Sequence, residues 1–112
     1  MSKIFIPHYT PRFDYTAATQ FGELQPITDR AYSFNSESAG QVQLLAEMHR
    51  AASVYDEFED YLLLGGVPLN TAHFIQLLTN RGISTIRSLV WNSNDGAYTV
   101  GMYRAPVGAS NV

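Results

Sequence analysis

The sequence predicts an α/β fold: a single small three-layer domain, with a mostly parallel sheet of four to five strands, helices on its faces and a C-terminal antiparallel hairpin. Three observations carry this expectation. Short apolar runs alternate along the chain with segments of helical period, the pattern of strands joined by crossover helices. One of those runs, Tyr61-Leu62-Leu63-Leu64, is unbroken by any polar residue, as in a central strand covered on both sides. The last two runs flank a turn rich in Asn, Asp and Gly, which pairs neighbouring strands antiparallel.

Element by element, Lys3 to Ile6 reads as a buried strand stopped by Pro7. Thr16 to Phe21 can make one or two helical turns, with Gly22 as a left-handed stop. Glu23 to Thr28 follows as a strand, and Pro26 assigns it to a sheet edge because proline donates no ladder hydrogen bond. The spacing of Ser38 and Gln41 is that of a capping box opening a helix to about Tyr55. Val42, Leu45, Met48 or His49, Ala52 and Tyr55 form its expected apolar stripe. Asp56 to Asp60 reads as a solvated acidic loop. After the Tyr61–Leu64 run, Gly65-Gly66 turns the chain into a second helix that opens on Pro68 and stops at Gly82. Ile83 to Trp91 and Ala97 to Arg104 are the hairpin strands around Asn92–Gly96, which leaves 105–112 as a loose tail. The domain is therefore expected over residues 1–104.

Composition limits the function. The chain has 112 residues, no Cys and 46% hydrophobic content, enough for one core that buries roughly 65% of the unfolded surface. Cysteine nucleophiles, redox pairs and disulfide scaffolds are excluded. Ten acidic against seven basic residues give a net charge of −3, and the cations are spread without a run, which disfavours nucleic acid as a partner. No segment approaches the ~18 apolar residues of a membrane span. The N-terminus is too short in apolar residues for a secretion signal, so the expectation is an intracellular protein.

In open α/β sheets, ligands collect beyond the carboxyl ends of the parallel strands. That rule nominates His8-Tyr9-Thr10, Thr28-Asp29-Arg30, Gly65-Gly66 and Asn92. The richest of these is the glycine turn before a helix, from Gly65 and Gly66 to Asn70 and Thr71, which suits a nucleotide-like small anion. His8 stands on the same edge, and Arg12 or Arg30 could close over the ligand. The spacing matches neither common phosphate-loop pattern, and Pro68 removes one donor, so a tight turn of a buried strand into a packed helix is the preferred explanation of the glycines. His8 with Asp29 is the one hydrolytic pair on offer. His8, His49 and His73 lack metal-ligand spacing and the acidic loop lacks the pattern of a calcium loop, so neither metal nor cofactor is expected. The N-terminal aromatics, Tyr9, Phe13, Tyr15, Phe21, Tyr32 and Phe34, are expected to cover one sheet face.

Phe21-Gly22-Glu23-Leu24 with Ile27-Thr28, Asp60 through Asn70, and Leu89-Val90-Trp91 together resemble short uncharacterised proteins encoded by tailed bacteriophages. Where such proteins often carry Ser in the strand-ending turn, this chain has Gly65. The resemblance implies a virus-encoded accessory protein in the infected bacterial cell and transfers no catalytic residue. The leading expectation is a non-enzymatic protein that acts by protein–protein binding to a host or viral protein. The free edge of Ala97–Arg104 adds a homodimer or higher oligomer. The anion site at the glycine turn is the alternative.

Overall fold

The structure, a computed structural model, describes residues 1–35 and 37–104; the expectation of a loose tail over 105–112 lies outside them. Five strands form one sheet: β1 (Lys3–Ile6), β2 (Glu23–Pro26), β3 (Tyr61–Leu64), β4 (Thr85–Asn92) and β5 (Ala97–Arg104). Their order is β2-β1-β3-β4-β5. The first four are mutually parallel, with Ile6 opposite Pro26, Phe5 opposite Leu62, and Leu63 opposite Leu89. β5 returns antiparallel to β4. The chain is thus the expected α/β domain, and Pro26 does lie on an edge strand.

Strand order reverses at β1, because the chain goes out to β2 on one side and comes back past β1 to β3 on the other. Right-handed crossovers in opposite directions must use opposite faces of a sheet. Accordingly, the 3-10 helix Thr16–Phe21 packs with Ile4, Ile6, Leu63, Leu89 and Tyr98. The helices α1 (Ala39–Val54) and α2 (Pro68–Asn80) cover the other face, around Phe5, Leu62 and Ile86. β1 shows the alternation most plainly: Ile4 and Ile6 serve one core, Phe5 the other, and all three are buried.

The stripe on α1 is rotated from the expected one. Gln41, Leu44, Met48 and Ala52 are buried, Leu45 is half-buried against the core, and Val42 faces solvent at 55% exposure. The cause is at the N-terminus. Ser38 caps the helix by accepting the Gln41 amide at 3.1 Å, but the Gln41 side chain does not return the bond to Ser38. Its Oε1 instead accepts the Ser33 N–H at 2.8 Å, which turns Gln41 inward and fixes the helix about that contact. At the far end of α2, Gly82 adopts φ +95°, and the amides of Gly82 and Ile83 reach Thr79 O and Leu78 O. This is a Schellman stop, and its hydrophobic pair, Leu78 and Ile83, lies in the core. Arg81 extends from that stop to cap α1, donating to the carbonyls of Ala52 and Tyr55.

Two loop readings are corrected. Gly22 has near-extended backbone at φ 158°, not a left-handed one; glycine is needed there because a Cβ would collide with the Ser2 carbonyl. In the acidic stretch, Asp60 is buried rather than solvated. Its carboxylate accepts the Lys3 and Asp56 amides at 3.0 and 2.8 Å, so it ties the start of β1 to the loop before β3.

Candidate functional site at the carboxyl edge of the sheet

The strand-order reversal puts a crevice beyond the ends of β1 and β3, the place where such sheets bind ligands. The chain fills much of it with its own side chains. Gly66 turns out of β3 at φ +72°, a conformation that only glycine adopts cheaply. An added Cβ there would stand 2.5 Å from His8 Nδ1 and 2.7 Å from His8 Cβ. His8 lies this close because its Nδ1 accepts the Val67 N–H at 2.8 Å. The imidazole nitrogen that accepts this bond carries no proton, so the hydrogen of the neutral ring is on Nε2.

Asn70, in the first turn of α2, is fully buried and ties that helix to the loops after β1 and β2. Its Oδ1 accepts the Tyr32 amide at 2.8 Å, and its Nδ2 donates to Pro7 O at 3.0 Å and Arg30 O at 2.8 Å. A second link, Tyr9 N–H to Thr28 O, joins the loops after β1 and β2 directly. His8, Gly66, Asn70 and the Arg30 backbone are therefore brought together. The Arg30 guanidinium is directed away, to Gln43 on α1 at 3.2 Å, Thr71 is half-buried on α2, and Arg12 is exposed. Among the amides an anion would use at this helix start, Val67 serves His8, Pro68 has none, and Asn70 closes on Val67 O. Among the described residues, no three His, Asp or Glu side chains gather as a metal would need.

On the other side of the glycine turn is an open cleft of about 450 Å³. Phe13 and Tyr15, from the loop after β1, face Trp91 at the end of β4 and Tyr98 at the start of β5, with Gly65 and Gly66 on the rim. None of these four rings is among the residues that the carboxyl-edge rule nominates. The signal for their grouping was present, since Trp91 ends a parallel strand on the edge where the aromatic loop after β1 must also lie. The expected aromatic cover is divided. Tyr9, Tyr15 and Phe21 pack over the face of the 3-10 helix, whereas Tyr32 packs on the side of α1 and α2, and Phe34 is exposed.

Away from this edge, burial perturbs two titratable side chains. Burial, then the nearby His49, lowers the pKa of His73, whose Nε2 is buried without a partner among the described residues. Burial raises that of Tyr55, whose hydroxyl donates to Asp60 O.

Among the described residues, no helix is long and apolar enough to cross a membrane. Residues 2–104 match the family described as Phage Pam3 gp32-like protein, which takes in every strand and helix above. No curated protein and no solved structure matches the chain.

Proposed function

Because the chain belongs to the Phage Pam3 gp32-like protein family, we propose that it is a phage accessory protein that works by binding another protein, and that it does so as a homo-oligomer paired through β5. The observation that carries this reading is the contrast between the two sheet edges. β2 has four residues, opens on Glu23 and closes on Pro26, features that blunt an edge. β5 has eight residues, and its pairing with β4 runs through eight consecutive positions without a bulge. It contains no proline, and its only charged residue is Arg104 at the end. Val100, Met102 and Tyr103 are each at least 40% exposed, on both faces of the strand. A long, regular and apolar outer strand is a template for a second copy of itself.

The engaged amides around Val67 and Asn70 support a structural role for the glycine turn rather than an anion site. The proposed setting is the cytoplasm of the infected cell, with a host or viral protein as the further partner. Light scattering after gel filtration tests the assembly. The expected mass is at least twice the 12.5 kDa of one chain. The double variant Val100→Lys, Met102→Lys should then run as a monomer. A monomeric wild-type protein at high concentration overturns the reading.

A further inference from the structure

The cleft beside the glycine turn has chemistry of its own, independent of the β5 edge. Its aromatic wall comes from three separate segments, with Phe13 and Trp91 6.2 Å apart and nearly perpendicular at 89°. Trp91 and Tyr98 meet at 5.1 Å and 66°, and Phe13 and Tyr15 at 4.9 Å and 53°. In none of these three contacts are the rings parallel, so the wall presents π faces in several directions rather than a slot for one flat ring. Phe13 and Trp91 keep 42% and 39% of their surface exposed, which places that π surface at the mouth.

Behind them Tyr98 is only 6% exposed, yet its hydroxyl has no hydrogen-bond partner among the described residues. An unpaired buried hydroxyl is a standing cost to the fold, and a bound donor would satisfy its oxygen. The neighbouring Tyr15 hydroxyl oxygen already accepts the Thr10 amide at 3.0 Å.

Among the described residues, no charged side chain lines the cleft. Asp14, an exposed carboxylate between Phe13 and Tyr15 in the chain, acts on its Tyr98. Bonds from the Thr16 hydroxyl and amide hold that carboxyl below its ordinary pKa, so it stays ionised. Burial, then Tyr15 and Asp14, push the Tyr98 phenol up, and no cation offsets that field.

We propose that this cleft is a binding site for a guanidinium group, as borne by an arginine side chain. Aromatic faces attract cations, tryptophan most strongly. Among biological cations the guanidinium is flat and weakly hydrated, so it enters an apolar cleft at lower cost than an ammonium and stacks on rings as it does so. Its N–H groups supply the donor that the Tyr98 oxygen lacks, and Asp14, between Phe13 and Tyr15 in the chain, supplies a counter-charge whose field reaches Tyr98. A phosphate or carboxylate would meet the field of Asp14 with no compensating cation in the wall. A neutral ring would leave that field unused.

Trp91 is the only tryptophan in the chain, so its emission reports on the cleft directly. The full-length protein is titrated with N-acetylarginine amide, with the neutral isostere N-acetylcitrulline amide, and with N-acetyllysine amide. The expected result is a saturable change with the arginine compound, none with citrulline, and lysine at least about threefold weaker. Free methylguanidine distinguishes the source: tighter binding than the capped arginine indicates a small-molecule ligand, weaker binding a polypeptide, and either supports the guanidinium. An equal response to citrulline or to lysine, or no saturable response to arginine, overturns the proposal. Calorimetry on two variants separates binding from folding. Tyr98→Phe should weaken binding about threefold to tenfold while the melting temperature holds or rises, because an unpaired hydroxyl has been removed. Asp14→Asn should weaken it about twofold to fivefold at low salt. Unchanged binding in both variants, or a loss in Tyr98→Phe matched by a lower melting temperature, assigns these groups to the fold and overturns the site.

Discussion

His8 and Val67, 59 positions apart in the chain, are joined by one 2.8 Å hydrogen bond from the Val67 amide to the imidazole Nδ1. That bond locks the end of β1 to the start of α2, and it leaves Gly66 pressed against the ring. Gly66→Ala should therefore destabilise by about 1–3 kcal/mol, through the left-handed backbone and the contact with His8 together. His8→Ala should cost about 1 kcal/mol, and His8→Asn less, since an amide oxygen can accept the same bond. Chemical denaturation of the three variants checks the order. A neutral Gly66→Ala would contradict the geometry.

Asn70→Ala should be more damaging than any surface change. It strands one backbone N–H and two carbonyls in a buried junction, at about 2–4 kcal/mol. Asn70→Asp should not rescue it, because a carboxylate keeps the bond from Tyr32 but offers no donor to Pro7 or Arg30. Paired denaturation curves decide this; wild-type stability for the Asp variant would show that the two carbonyls find other partners.

On α1 the prediction separates two neighbouring faces. Leu44 is fully buried, and Leu44→Ala should cost about 2–5 kcal/mol. Val42 is more than half exposed, and Val42→Ala should stay within about 0.5 kcal/mol. If the two variants melt together, the helix is turned differently from the orientation that Gln41 sets.

His73 makes stability depend on pH in a definite direction. Its folded-state pKa lies below the ordinary 6.5 because burial and His49 disfavour the charged ring. The unfolded chain therefore takes up the proton first. The contribution is intact above about pH 6.5 and is lost as the pH falls through that value, levelling off below the folded pKa. A series of melts across this range should show the decline, and His73→Gln should flatten it. An identical profile in the variant would assign the slope to other groups.

Much of the architecture was legible because it rests on local patterns. The apolar run Tyr61–Leu64, the Pro26 edge signal and the hairpin turn each declare an environment that the strand order then supplies. The orientation of α1 was not legible, since a buried glutamine reads as polar until its partner, the Ser33 amide, is brought beside it. Asp60 and Asn70 were hidden for the same reason: their burial is tolerable only because of backbone groups far away in sequence. The carboxyl-edge rule did find the glycine turn and His8, though not that each occupies the other's space. It also passed within one residue of Trp91 without joining it to Phe13, because nothing local links a ring at position 13 to one at position 91.

The β4–β5 hairpin sets a timetable for folding. Its two strands close over a four-residue turn, from Asn92 to Ala97, so their pairing requires almost no search. β1 must instead find Leu62 from Phe5, and the entropy of closing that long loop has to be met before any contact rewards it. The hairpin, with α2 arriving on β3 beside it, is thus the natural nucleus, and the β1–β2 half with its 3-10 helix joins late. Destabilising changes in the hairpin core, such as Leu89→Ala, should slow refolding, whereas Ile4→Val should chiefly speed unfolding. Stopped-flow rates showing the reverse would place the nucleus on β1. Late arrival also means that the strand edge of β5 exists before the rest of the sheet is complete, so during refolding of the full chain two molecules can meet there before either has closed its own core.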